Sequence, residues 1–403
     1  MTPMSADIPP ARGGLSLPAL VLARVCTSAV FMTYPACLST LLVAWEMSAA
    51  QAGLVQASFT VGFALSLLVA SALCDLIGAR RVFNIAMAFS AVAALLFALF
   101  ARSFDSAMIF VCLVGLSQGG TYTPAIMLVA ANADPARKAS GVGWVLAGMS
   151  AGYVISIFLS AAMIERFGYE AAFLATAAFT VAGWGFGIYA VRVARDRDET
   201  AGGTAATAAA PTPRRQATLL MLGYIGHSWE LLGAWAWVPA FLAAAILSRG
   251  KMSPIELGLW TALALHLTGF FSSFLSGYAA DRYGARRVLI GFALVGALCS
   301  FAIGWLDGGS VALLIAVTAV YGFVAIGDSA VLSSAMTDAV PADRLGRILG
   351  LRSILGMSAG AAAPAVFGLT LDLLPPDIAW GYAFWTLGAG GFIAFICALG
   401  LKR

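Results

Sequence analysis

The chain has 403 residues, of which 61% are hydrophobic and only 10% are charged, and its formal net charge is +4. Soluble domains contain about 45–50% apolar and about 25% charged residues. The composition therefore excludes a soluble enzyme, a nucleic-acid-binding protein and a disordered chain, and it indicates a protein that crosses a membrane several times.

Apolar runs of membrane-spanning length recur twelve times along the chain. A spanning helix needs ~20 apolar residues, and each run must be helical because the bilayer core offers no partners to free backbone groups. The runs are, in order, 15–42, 53–74, 82–101, 106–131, 139–163, 171–192, 217–247, 257–280, 288–306, 311–336, 348–372 and 380–400. We predict an all-α membrane protein of twelve transmembrane helices, with no cleaved signal peptide before the first of them.

Lys and Arg residues are distributed unequally between the two sets of loops. If both termini are cytoplasmic, only four of the 23 lie in loops on the opposite side, namely Arg102, Arg166, Arg249 and Lys251. Because basic loops remain in the cytoplasm, we predict a multi-pass protein of the bacterial inner membrane with both termini cytoplasmic.

The longest hydrophilic break divides the twelve runs into six and six. It combines charged residues with a tract rich in Ala, Gly, Thr and Pro, a composition typical of flexible linkers. We predict an N-terminal six-helix bundle at 1–191, a cytoplasmic linker at 192–216 and a C-terminal six-helix bundle at 217–403. Two related bundles form the parallel-repeat design of secondary transporters, in which the substrate binds near the bilayer midplane between the repeats.

One short motif occurs in both halves, in the loop after the second helix of each. Its residues are Asp75, Gly78, Arg80 and Arg81 in the first half and Asp281, Gly284, Arg286 and Arg287 in the second. The glycines permit a tight turn, the aspartates can face a helix N-terminus, and the arginines can also serve as ordinary cytoplasmic anchors. The segment from Gly277 to Leu289 resembles the signature loop of the major facilitator superfamily, and the twelve-helix layout extends this resemblance over nearly the whole chain.

The resemblance implies two six-helix bundles that open a central site alternately to either side of the membrane. It also implies that the motif residues latch the cytoplasmic ends of the bundles in one state of the cycle. The chain departs from proton-coupled exporters of this superfamily, because helix 4 has Gly115 where many of them carry an arginine and helix 5 lacks their proline. A proton-driven exporter of drugs or other hydrophobic compounds remains the alternative function. A membrane-embedded enzyme or sensor is a second alternative, for which the sequence contains no catalytic motif.

Charged side chains at membrane depth cost at least about 2.5 kcal/mol each, so those present indicate function. His227 and Glu230 are three residues apart and share one face of helix 7, and Asp328 lies deep in helix 10. Carboxyl and imidazole groups can take up and pass on a proton. Since the sequence has no nucleotide-binding loop, we predict that the proton gradient drives transport through these three residues, although structural hydrogen bonds are the alternative explanation of His227 and Glu230.

Arg24 in helix 1 and Arg352 in helix 11 are basic residues within the apolar runs. The resemblance implies that both helices border the central cavity, where two guanidinium groups would bind a carboxylate or another anion; alternatively, both side chains could extend to the membrane surface. Further candidates for substrate contact are Tyr34, Gln118, Tyr122, Tyr153 and His266. We predict a small anionic metabolite as the substrate, with no cofactor, metal ion or nucleic acid, and a monomeric protein.

Overall fold

The computed structural model describes residues 14–133, 138–195, 214–340 and 342–402. Within these residues, twelve helices are long and apolar enough to cross a membrane, which confirms the all-α fold predicted from the sequence. They are α1 (Leu17–Ala44), α2 (Ala49–Ile77), α3 (Ala79–Phe100), α4 (Phe104–Asn132), α5 (Gly141–Phe167), α6 (Tyr169–Val191), α7 (Arg215–Ile246), α8 (Pro254–Tyr283), α9 (Ala285–Leu306), α10 (Val311–Ala339), α11 (Ile348–Leu373) and α12 (Pro376–Leu399). Most of the predicted linker, residues 196–213, lies outside the described residues.

The twelve helices pack as two groups of six, α1–α6 and α7–α12, which we call the N-terminal and C-terminal halves. In the first half, α4 packs along α2 and α3, and α6 packs along α1 and α3. In the second, α12 packs along α7 and α9, and α10 packs along α8 and α9. The halves meet mainly where α2 packs on α11 and where α5 packs on α8. The interface between them is therefore built from two equivalent helix pairs.

Glycines let these helix pairs approach closely at one end. A Cβ atom at Gly53 of α2 would collide with the backbone carbonyl of Pro364 in α11, and one at Gly368 of α11 would collide with that of Ala49 in α2. Toward the other end of α11, a Cβ atom at Gly350 would meet open space. Because small residues allow helix backbones to touch within a membrane, the halves are in close contact at this end, and the backbone at Gly350 makes no comparable contact.

Two carboxylates join the halves at the end where the helices touch. Asp372, near the end of α11, accepts hydrogen bonds from the backbone nitrogens of Ala49 (2.9 Å) and Ala50 (2.7 Å) at the start of α2. Glu165, near the end of α5, accepts one from Ile255 (3.1 Å) at the start of α8. The two contacts occupy equivalent positions in the two halves, and each places a negative charge against the positive N-terminus of a helix. We call this end of the molecule the clamped end.

The opposite end, which we call the basic end, carries the two loops of the repeated motif. Gly78 and Gly284 both have φ of 86°, a backbone conformation that L side chains rarely adopt, so the turn itself requires both glycines. Arg80 donates to a backbone carbonyl at the end of α6, and Arg286 donates to one at the end of α12 (3.0 Å). The charged motif residues Asp75, Arg81, Asp281 and Arg287 are exposed. These two hydrogen bonds each lie within one half, and the latch between the halves stays a prediction.

Neutralising the carboxylates of the clamped end is expected to favour conformations that are open there. Each carboxylate at a helix N-terminus contributes about 0.3–1 kcal/mol, so the double variant Glu165→Gln and Asp372→Asn should change the population ratio about 3- to 30-fold. Spin labels are attached to cysteines introduced at the exposed positions Val43 and Leu373, one in each half. The change should appear as a longer distance between the two labels in double electron–electron resonance. Asp307→Asn is the control, because Asp307 pairs within its own half. An equal shift in the control would refute the role of the clamp.

Candidate functional site

Arg24 of α1 is buried inside the protein, with an exposed fraction of 1%. Its Nη1 donates a hydrogen bond to Thr121 of α4, and its Nε has no hydrogen-bond partner among the described residues. Tyr122 and Tyr153 lie close enough to interact with its charge. The guanidinium group therefore does not extend to the membrane surface, and it keeps an unused donor beside two tyrosines.

Arg352 of α11 is also buried, with an exposed fraction of 7%. Its Nη2 donates to Ser333 of α10 (2.8 Å), and its guanidinium carbon lies 3.9 Å from the ring centroid of Tyr224 in α7, a cation–π contact. In the part of the chain that the structure describes, its Nη1 has no hydrogen-bond partner. Tyr224 and Tyr122 of α4 lie near each other, so the tyrosine beside each buried arginine comes close to the tyrosine of the other half.

A layer of four rings lies on the clamped side of the two arginines. The ring centroids of Tyr153, Trp235 and His266 lie 5.3 to 5.6 Å from one another, and Phe31 lies 4.6 Å from Tyr153. A π-helical turn of α8, Leu263–Leu267, contains His266, and such turns occur often at functional sites. Both ring nitrogens of His266 and the indole nitrogen of Trp235 have no hydrogen-bond partner among the described residues. This aromatic layer closes the space between the halves toward the clamped end.

Two predicted substrate contacts are engaged inside the N-terminal half instead. Tyr34 lies in the first turn of the second helical segment of α1, Thr33–Ala44, and its hydroxyl donates to the backbone carbonyl of Ala52 (3.0 Å). Gln118 donates to the carbonyl of Thr27 (3.3 Å) and to the hydroxyl of Ser90 (3.1 Å). Both side chains therefore join helices of one half through hydrogen bonds.

His227 of α7 pairs with Asp328 of α10. The His227 Nδ1 atom lies 2.8 Å from Asp328 Oδ1, and Nε2 lies 2.7 Å from the hydroxyl of Ser329. The Nδ1–Oδ1 contact is an ion-pair distance without hydrogen-bond geometry, because Asp328 Oδ1 has no hydrogen-bond partner among the described residues, whereas the Ser329 hydroxyl is hydrogen-bonded to the other ring nitrogen. The pair is buried, with side-chain exposures of 4% and 8%. A proton carried by either group is therefore shielded from bulk water.

Glu230 has partners of its own, one helical turn away from His227. Its Oε1 accepts a hydrogen bond from Ser300 of α9 (2.6 Å), and the same hydroxyl is bonded to the phenol oxygen of Tyr321 in α10 (2.6 Å). The backbone of α12 packs against the carboxyl group, because a Cβ atom at Gly391 would contact both of its oxygens. The face shared by His227 and Glu230 thus holds two separate clusters, and both lie within the C-terminal half.

Sequence reasoning missed the uncharged residues that connect these charged groups. They are Thr121, Tyr224, Ser300, Tyr321, Ser329 and Ser333. Serine and tyrosine are common inside membrane helices, so most of them give no signal of their own. One signal was available: Tyr321 and Asp328 are seven residues apart, and this spacing places both on the same helix face.

Comparison with known proteins identifies the family. A sequence model of the Major Facilitator Superfamily matches residues 20–250 and 231–403. The chain belongs to this superfamily. It is a transporter and not an enzyme, as the sequence predicted.

Solved structures of other transporters share the fold. A bacterial homolog of the human lysosomal transporter Spinster, in an inward-facing and unoccupied conformation, matches with a TM-score of 0.74 and 14% identity over 95% of each chain. A mutant of the nucleoside transporter NupG matches with a TM-score of 0.78 and 12% identity over 96% of this chain and 100% of that one. At these identities the likeness concerns the fold alone.

Two curated relatives match parts of the chain. "Probable anion transporter 6, chloroplastic" of Arabidopsis thaliana is 33% identical over 126 residues, 31% of this chain and 24% of that protein. "Probable 4-methylmuconolactone transporter" of Cupriavidus pinatubonensis (strain JMP 134 / LMG 1197) is 31% identical over 169 residues, 41% of this chain and 37% of that protein. The matches thus span well under half of either relative.

Proposed function

We propose that this transporter moves a small organic anion across the bacterial inner membrane, coupled to protons and by alternating access. The observation that carries the proposal is the pair of buried guanidinium groups, Arg24 and Arg352, which the two halves present beside neighbouring tyrosines. A buried cation with an unused donor is costly unless an acceptor satisfies it. A carboxylate supplies both the opposite charge and the acceptor oxygens, in the planar geometry that guanidinium matches.

The partial relatives support an anionic substrate. One carries the word anion in its name, and the other is named for the small organic compound 4-methylmuconolactone. The missing arginine of helix 4 disfavours the alternative, a proton-driven exporter of hydrophobic compounds. The aromatic layer beside the arginines, with its apolar faces and free nitrogens, suits the remainder of an organic acid better than an inorganic ion.

Proton coupling is proposed to reside in the C-terminal half, at His227, Asp328 and Glu230. Buried carboxyl groups in a membrane helix commonly mark proton relays. Since these groups are buried where helices of the C-terminal half pack together, a change in their protonation can alter how α7 and α10 pack without direct contact with the substrate. This is the form of coupling that alternating access requires.

The orientation of the protein is part of the proposal. The motif loops that hold Arg80, Arg81, Arg286 and Arg287 share one end, and the positive-inside rule supports the proposal that this basic end faces the cytoplasm. The clamped end then faces the other side, and the conformation described above opens toward the cytoplasm. We also propose the division into bundles at 192–216, and a monomer as the working unit, because each chain contains both halves of the site.

A thermal-shift screen of the purified protein tests the substrate class. Small carboxylic acids at 100 times their dissociation constant should stabilise the native state by about 2.7 kcal/mol, whereas the corresponding primary amides should leave the melting temperature unchanged. The amides are matched controls, because they keep size and shape and lose only the charge. Stabilisation by hydrophobic cations, with none by acids, would instead support the exporter.

A further inference from the structure

The polar groups of the C-terminal half follow one another across the membrane. Tyr321 precedes Asp328 by seven residues in α10, which places it about 10 Å nearer the clamped end. Glu230 follows His227 in α7, which runs from the basic end to the clamped end, so it also lies on the clamped side of the His227–Asp328 pair. From the clamped end, the order is therefore Tyr321 and Ser300, then Glu230, then the pair of His227 and Asp328.

A small cavity continues this order toward the basic end. Asp328 lines it together with apolar residues of α7, α9, α10 and α12, among them Gly223, Ala293 and Cys397. Its volume is about 10 Å³, which is close to what a single water molecule needs. Leu220 and Leu401 line this cavity and also a basin of about 630 Å³ at the basic end. We call the route that leads from Asp328 through this cavity to the basin the inner passage.

We propose that Asp328 exchanges its proton with the solution at the basic end through the inner passage, inside the C-terminal half, and not through the space between the halves. Tyr321, Ser300 and Glu230 form the relay that leads to it from the clamped side. This inference rests on the proposed proton coupling and adds the route to it. It gives the substrate and the proton two different exits in the conformation described here.

Each step of the relay moves one proton and no electrons. Ser300 can donate only one hydrogen, so when it donates to Glu230 it accepts from Tyr321. Tyr321 gives its proton to Ser300, and Ser300 gives its own proton to Glu230, which becomes a neutral acid. When Tyr321 takes up a new proton, both hydroxyl groups carry their protons again. No hydrogen bond joins Glu230 to the His227–Asp328 pair among the described residues, so the proton crosses the one helical turn between them in a separate step, and Asp328 then releases it into the inner passage.

The charges around Asp328 suit release toward the basic end. Asp328 faces His227 of α7 and interacts electrostatically with Glu230 of the same helix. The titratable group that α12 contributes to the passage is Cys397. The α9 residues of the passage, Leu289 and Ala293, are apolar. The charged residues of the basin are Arg286, Arg287, Asp338 and Lys402. Three cations against one carboxylate give the mouth a positive potential, which lowers the local proton concentration and so favours the loss of a proton by groups that exchange through it.

Hydrogen–deuterium exchange of the Asp328 carboxyl group tests the route without any substrate. In acidic D₂O, infrared spectra of the purified full chain follow the C=O band that is present in the wild type and absent from Asp328→Asn. Gly223→Leu should fill the passage, because a Cβ atom there meets Cys397 and Leu332 at ordinary contact distances of 3.7 and 3.8 Å. Exchange then requires local opening and should slow by about tenfold or more.

Gly291→Leu is the matched control, because it adds the same side chain to α9 where a Cβ atom meets open space. Wild-type exchange in Gly223→Leu would overturn the inner passage. Should Gly223→Leu fail to fold, Gly223→Val is measured instead, with the same criterion. The relay is tested with the passage closed: in the Gly223→Leu background, Ser300→Ala should slow exchange of the Glu230 and Asp328 bands further, and exchange of both bands at the rate of Gly223→Leu alone would overturn the relay.

The outcome is separable from the proposed function. If Gly223→Leu exchanges at the wild-type rate while Asp328→Asn abolishes accumulation of organic acids, the route is wrong and the function stands. If no acid is accumulated by the wild type while the passage variant slows exchange, the route stands and the function is wrong.

Discussion

Glutamine in place of Arg24 or Arg352 is expected to lower kcat/KM for uptake of an organic acid by about 10- to 100-fold, because a hydrogen bond to a charged group contributes about 1.5–3 kcal/mol. Glutamine keeps a donor but loses both the positive charge and the planar fork that binds a carboxylate through two bonds. Since the two arginines come from different halves, both variants should raise KM, whichever half is changed. Uptake into vesicles of reconstituted protein is the measurement.

The arginine variants need controls for folding and for charge. Arg249→Gln removes a cation from an exposed ion pair with Asp307, and uptake should stay at the wild-type level. Arg24→Lys and Arg352→Lys keep the charge and lose the fork, so their activity should lie between that of the wild type and that of the glutamine variants. If the glutamine variants transport acids as well as the wild type and are equally stable, the arginines do not bind the substrate.

The fold could be predicted from the sequence because lipid imposes so few solutions. A bilayer admits only helices of a known length, and twelve apolar runs therefore correspond to the twelve helices observed. The motif glycines were predictable for a similar reason, since the turn at Gly78 and Gly284 demands a backbone that other residues rarely adopt.

The charged members of the candidate site were visible in the sequence, and their partners were not. Arg24 and Asp328 are conspicuous because charge is expensive in a membrane. The sequence offers no comparable sign for Ser300, whose hydroxyl lies between Glu230 and Tyr321 only after three helices have packed together. Which residues meet across helices is a property of tertiary packing, and periodicity along one helix does not encode it.

The clamp shows the same limit at the surface. Glu165 and Asp372 are carboxylates at helix ends, a position in which most such residues face water. Their partners are backbone nitrogens of the other half, so no complementary charge in the sequence indicates the contact. The repeat of the basic motif suggested related halves, and the equivalence of the two clamp contacts is a consequence of that relation at the opposite end.

Removing the buried carboxyl groups is expected to abolish accumulation of the organic acid while leaving exchange of labelled for unlabelled acid across the membrane intact. Asp328→Asn and Glu230→Gln keep the size of each side chain and cannot release a proton. A single proton that enters with a monocarboxylate makes the cycle electroneutral, so each unit of pH gradient supports about tenfold accumulation in the wild type. Without a proton-carrying group, the internal concentration should stop at the external one, while exchange of labelled for unlabelled acid should persist because the arginine pair is intact.

The contrast between these two assays distinguishes coupling from binding. Loss of both exchange and accumulation would assign Asp328 and Glu230 to the integrity of the C-terminal half, and retention of both would remove them from the proton path. Asp105→Asn, at the exposed start of α4, is the control and should accumulate acids as the wild type does. Because His227 faces Asp328 and not Glu230, His227→Gln should impair accumulation through Asp328, and the double variant with Asp328→Asn should be no worse than Asp328→Asn alone.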